Sequence, residues 1–124
     1  QTSLVQRLHK GLPRPKQVEL INALPQAELV ALVRASMALL SASTEEGFDY
    51  PVLEAKAEGI PTLISDIPVH REFHSESSLF FSLDDDGTGL AHSVVSLCRE
   101  PALWSQLSLR GLELARSLSL KSSF

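Results

Sequence analysis

The chain has 124 residues, 44% of them hydrophobic and 21% charged, which fits one globular domain or part of one and excludes disorder as its default state. A net charge of −4 argues against a surface built mainly to hold phosphate backbones, and the single cysteine, Cys98, excludes an internal disulfide. The longest apolar run, Leu29 to Leu40, is too short to span a bilayer and is broken by Arg34, and the polar first residues lack the apolar stretch of a signal peptide. A cytoplasmic location, or a peripheral one at the membrane, is the expectation.

In chain order, Thr2 to Lys10 reads as the end of a helix stopped by Gly11, Pro13 and Pro15. Its cations Arg7 and Lys10, with Arg14 and Lys16 after it, read as a solvated basic entry. Gln17 to Ile21 predicts a short strand, and Gln26 to Ser36 a helix behind Pro25. Met37 to Leu40 is a continuous apolar run, as expected of a strand covered on both faces. A helix from about Pro51 to Glu58 closes at Gly59, and the apolar run Thr62 to Ser65 follows. Then come a strand at Leu79 to Leu83, a helix at Thr88 to Arg99 and a last helix at Ala102 to Leu118 after Pro101. Cys98 falls in an apolar-periodic segment that predicts a buried thiol, and Trp104 is expected against the sheet.

Strands alternating with helices on short connections mean parallel βαβ units. The expected fold class is α/β, an open parallel sheet of about four strands with helices on both faces. A doubly wound nucleotide domain has about six strands, so residues 1–124 are expected to form one partial, Rossmann-like domain short of about two front βα units.

In such sheets ligands bind beyond the carboxyl ends of the strands, and the segment Ser41 to Tyr50 occupies such a place. Pro51 suits a first helical turn, with Tyr50 or Asp49 as the cap, and the free amides from Val52 to Glu54 make an anion site with the helix dipole. Gly47 admits close approach of a ligand. Glu54, one turn in, can accept two hydrogen bonds from vicinal hydroxyls, and Glu46 faces whatever lies beyond the phosphate. By spacing alone the plainer reading is favoured: Glu54 and Glu58 are four apart on one face and would decorate a solvated helix.

The stretch "EEGFDYPVLEAKAEGIPTLISDIPVHRE" resembles the glutamate-x7-glutamate signature of retaining GT-B glycosyltransferases, above all glycosyltransferase family four. The family's usual pattern is E-G-F-G-L-P-x-L-E-A, then G-x-P-V-x-x-S, then P-x-x-x-E. It is matched here by Glu46, Gly47, Phe48, Pro51, Leu53, Glu54, Ala55, Gly59, Pro61, Ser65, Pro68 and Glu72. The resemblance implies the nucleotide-sugar donor-binding C-terminal domain of a GT-B enzyme. Glu46 would then hydrogen-bond the donor sugar as the catalytic glutamate, with the backbone of Gly47 and Phe48 lining the same pocket. The amides of Val52 and Leu53 would meet the diphosphate and Glu54 the ribose. Hexosyl transfer with retention, mannosyl among the options, to a glycan or lipid acceptor follows, with a GDP- or UDP-sugar as substrate, no further cofactor and no metal.

The chain departs from the pattern in three ways. Asp49 and Tyr50 stand where Gly and Leu are usual, so that Asp49 either caps the helix or repels the donor. Lys56 replaces a usually apolar residue, which predicts an exposed helix face. No residue matches the family's phosphate-binding Arg and Lys, which belong to the front units, and these residues are not expected to include the acceptor-binding N-terminal domain, so they alone are not expected to turn over. The rival expectation is a degenerate, non-catalytic binding or assembly module; an epimerase of the same fold usually lacks the full Gly-Phe…Leu-Glu-Ala pattern.

Other clusters are weaker. Asp84, Asp85 and Asp86 suggest a divalent ion but sit where Asp favours a helix start. His70 and His74, four apart, lack the further ligands of a metal site and read as a surface turn, with a place for His70 or Glu72 beside the donor pocket as the alternative. Glu46 and Glu54 as a glycosidase pair would require one loop to serve both faces of a bond. An open parallel sheet exposes an edge, so association into a homodimer is expected.

Overall fold

The computed structural model describes residues 3–44 and 49–121. Helix α1, Leu4–Lys10, begins at a capping box in which Ser3 Oγ accepts the Gln6 N–H and Gln6 Oε1 accepts the Ser3 N–H. Helix α2, Gln26–Arg34, leads into strand β1, Leu39–Ser41. Helix α3, Tyr50–Ala57, carries Pro51 in its first turn and is followed by Gly59 at φ 75°, the left-handed value that lets the chain turn back into strand β2, Thr62–Ser65. Helix α4, Pro68–His74, joins β2 to strand β3, Leu79–Phe81, and helices α5, Thr88–Arg99, and α6, Pro101–Lys121, complete the chain.

The three strands form one parallel sheet in the order β1-β2-β3, with Leu40 opposite Leu63 and Ile64 opposite Phe80. Parallel pairing requires a crossover, which α3 and α4 supply. All four residues of the central strand β2 are buried, so both faces of the sheet are covered there. On one face Leu63 packs with Phe81, Leu97 and Leu107, walled by the half-buried Val94, Leu103 and Trp104. The other holds Ile64 and Thr62, whose hydroxyl bonds Ser78 Oγ at 2.7 Å.

The α/β class and the open parallel sheet are as expected from the sequence, whereas the order of elements differs at Gln17 to Ile21 and at α4, where the sequence predicts a turn. Gln17 to Ile21 is not a strand: Pro15–Gln17 form a 3-10 turn, and Val18, Leu20 and Ile21 are exposed with no neighbouring strand to pair among the described residues. The sheet therefore has three strands. Strand β1 is an edge and not covered on both faces, since Met37 and Leu40 are exposed beside it. Cys98 is exposed rather than buried, its helix turning Leu97 inward instead. The Trp104 indole packs on the core and donates from Nε1 to the Met37 carbonyl at 2.9 Å.

Candidate functional site

The carboxyl ends of β1 and β2 are tied together by a buried polar cluster. Asp49, the N-cap of α3, is 2% exposed, and its Oδ2 accepts from Ser41 Oγ, at the end of β1, at 2.7 Å. The same oxygen lies 2.7 Å from His70 Nε2, while His70 Nδ1 donates to the Ser65 carbonyl, at the end of β2, at 2.7 Å. Ser65 Oγ donates to the Ser43 carbonyl at 2.6 Å. The cap on the helix itself is long: Val52 N–H reaches Asp49 Oδ1 at 3.5 Å. Leu53 N–H is used by the first helical bond, to Asp49 O at 3.2 Å.

Of the site residues expected from the sequence, Glu46, Gly47 and Phe48 lie outside the described residues. Val52 and Leu53 are buried in the first turn of α3. Glu54 is exposed and stands on the wall of a cleft of about 360 Å³ between α2 and α3, with Gln26, Leu29, Tyr50 and Leu53 among its lining. The structure thus sets Glu54 beside a cavity rather than on a featureless solvated face. A larger cavity of about 580 Å³, lined by Phe73, Ser77, Arg110 and Glu113, lies next to the turn that enters β3, at the amino end of the sheet and away from this site.

A second buried cluster was not legible in the sequence. Lys56, expected to be exposed, is 1% exposed: its stem lies under Gly111 of α6, and its Nζ bonds His74 Nδ1 at 2.7 Å and Ser77 Oγ at 2.5 Å. Burial pushes the Lys56 ammonium down to about 7. Burial, then the Lys56 charge, pushes His74 down to about 4. The expected surface turn at His70 and His74 is instead helix α4, with both rings turned inward against α3. Each ring meets a partner at least 18 residues away in sequence, so no local spacing announces the contact.

Among the described residues no group of three or more His, Cys, Asp or Glu side chains could hold a metal ion. The aspartates before α5 make turn contacts: Asp85 accepts from the Gly87 and Gly89 amides, and Asp86 from the amide and hydroxyl of Thr88, which holds its carboxyl below the usual range. Among the described residues no helix is long and apolar enough to cross a membrane.

The chain is 35% identical over 80 residues to the serotype-specific mannosyltransferase WbdA of Escherichia coli, covering 64% of this chain and 10% of WbdA. It is 32% identical over 82 residues to the O-antigen chain mannosyltransferase RfbU of Salmonella typhimurium, covering 66% and 23% of the two chains. It is 33% identical over 88 residues to the glycosyltransferase 1 domain-containing protein 1 of Xenopus tropicalis, covering 69% and 25%. The match thus spans a quarter or less of each of these relatives. The sequence pattern of the family described as "Glycosyl transferases group 1" matches residues 3–90, which take in β1, α3, β2, α4 and both buried clusters, and the chain belongs to that family.

Proposed function

We propose that this chain carries the donor site of a retaining glycosyl transferase that moves a hexosyl group, mannosyl by analogy with the named activities of its relatives, from a GDP- or UDP-sugar to a glycan or lipid acceptor. The observation that carries the reading is Glu54, exposed one turn into α3 on the wall of the cleft between α2 and α3. Its carboxylate is free to accept from two vicinal ribose hydroxyls, the recognition an acidic residue gives a nucleotide in open α/β sheets. Glu46 acts on the sugar hydroxyls, and the backbone of Gly47 and Phe48 lines the sugar subsite. The Val52 amide, held among the described residues only by a long bond, is the one a diphosphate oxygen takes over, and Leu53, already in the helical ladder, contributes through the helix dipole. Stabilisation of the departing diphosphate is the largest catalytic term in such a transfer. No metal is needed for this reading.

A second reading, a non-catalytic binding module, draws on Asp49, whose own carboxylate stands at the start of α3. Calorimetric titration with GDP- and UDP-hexoses separates the two. The donor reading expects binding that Glu54→Gln weakens by about tenfold or more. A folded chain that ignores both nucleotides at millimolar concentration rejects it in favour of the second.

A further inference from the structure

The contacts of Asp49 and His70 fix how many protons the pair holds. The Ser65 carbonyl can only accept, so His70 Nδ1 carries a proton. At the other nitrogen, Nε2 and Asp49 Oδ2 lie 2.7 Å apart with one proton between them. Whichever of the two atoms holds it, the pair is neutral as a unit. Ser41 Oγ donates to the same carboxylate, so the oxygen nearest His70 is drawn down onto the ends of β1 and β2.

We propose that His70 is a positioning residue for the donor: it neutralises Asp49 and holds the carboxylate on Ser41, so that the start of α3 meets an incoming diphosphate without an opposing negative charge. This rests on the donor-site reading above and removes its chief objection, an anion at the phosphate end of the helix. A bare carboxylate at the N-cap would repel a diphosphate a few ångströms away at the low effective dielectric of a half-buried site. His74, 6.2 Å from His70 between ring centroids, faces Lys56 instead and leaves this balance to His70.

The test uses the intact chain, titrated with GDP, UDP and their hexose derivatives, and in parallel with guanosine and uridine, which carry no phosphate. His70→Gln retains a hydrogen-bond donor to Asp49 but no charge. It is expected to weaken the diphosphate ligands by about tenfold or more and the nucleosides by less than about threefold. Adding Asp49→Asn, still a good cap, is expected to return diphosphate affinity to within about threefold of the parent. Equal weakening of nucleosides and diphosphates, or no weakening at all, overturns the proposal, as does a double variant that stays weak. If His70→Gln does not fold, the double variant decides alone: parent-like diphosphate affinity is the expected result, and a selective loss overturns it. A parent chain that binds neither nucleotide rejects the donor reading itself and leaves His70 nothing to position, whereas a parent that binds with the wrong pattern of variants rejects the role of His70 alone.

Discussion

His70 and His74 lie one turn apart on α4, both sealed against α3, yet their surroundings demand opposite behaviour from the same side chain. His70 is flanked by a carbonyl, to which its Nδ1 donates, and by a carboxylate with which its Nε2 shares one proton. His74 meets an ammonium, so its Nδ1 must accept. The partners come from the two ends of α3: Asp49 caps the amino end and Lys56 lies in the last turn, each of the sign that the helix dipole favours. α4 thus reads the polarity of α3 through two identical residues. The difference lies in which charge can be relieved. Lys56 can shed its proton near pH 7, whereas a carboxylate that loses its cationic partner inside the protein is left uncompensated.

The largest effect should come from removing that compensation. His70→Ala is expected to lower unfolding free energy in urea by about 3–5 kcal/mol, the usual result of breaking one side of a buried ion pair. His74→Ala, whose partner can become neutral, should lose about 1–3 kcal/mol. Equal losses at the two positions would mean that packing volume, not charge, governs both.

The next effect is a pH dependence specific to the Lys56 side. The lysine has an unfolded value of 10.5 and a native one of about 7, so between these limits the unfolded chain binds more protons and stability rises with pH. The gain is on the order of a few kcal/mol across that window. His74 adds a lower arm: its unfolded 6.5 falls to about 4 in the native chain, so stability declines as pH drops from 6.5 toward 4. Lys56→Met should flatten the upper arm and be neutral or stabilising at pH 7, since an apolar side chain of similar length fills the space without desolvating a charge. Urea midpoints from pH 6 to 10 that stay level in the parent chain would contradict the buried ammonium.

A smaller effect probes the lid over Lys56. Alanine in place of a glycine inside a helix usually stabilises, but a Cβ at position 111 would lie 3.0 Å from Lys56 Cγ and 3.2 Å from its Cβ. These are stem atoms of a fixed side chain, not a flexible tip. Gly111→Ala should therefore destabilise by about 1–2 kcal/mol, and in the background of Lys56→Ala, which removes the Cγ contact and keeps the Cβ one, the same change should cost less. A double-mutant cycle with no coupling would detach α6 from the lysine cluster.

These clusters also mark where the sequence stops being informative. The limits of β2 and α5 are legible because apolar period and flanking Pro and Gly act within a few residues. Asp49 as a cap is legible for the same reason. Lys56 is not: on residue type it belongs outside, and what buries it is a glycine of α6, 55 positions later in the chain. Gln17 to Ile21 fails in the opposite sense, since its apolar residues suit a strand and only the want of a neighbour among the described residues leaves them exposed. Cys98 shows the limit of period alone, since one residue's rotation about α5 separates it from buried Leu97. Glu54 needed the family motif, because its spacing by itself favoured a solvated helix.

The smallest expected effect lies on the outer face of the same α4 that buries the histidines. Arg71, between His70 and His74 in sequence, faces solvent: its Nε and Nη2 pair with the two oxygens of Asp66 at 2.7 and 2.9 Å, and its guanidinium lies 3.9 Å from the Phe80 ring centre. The geometry is as good as that of the buried pair, and hydrogen bonding to Arg71 holds the Asp66 carboxyl below its usual range. Exposed pairs nevertheless contribute little, because water screens both charges before they meet. Arg71→Ala should shift the urea midpoint far less than either histidine change, and about 0.5 M salt should erase most of the shift. Arg71→Lys should lose the ring stacking and the two-pronged bond while keeping the charge. A shift from Arg71→Ala that survives salt would assign its contribution to the Phe80 contact, and one as large as that of His70→Ala would overturn the contrast between the two faces of α4.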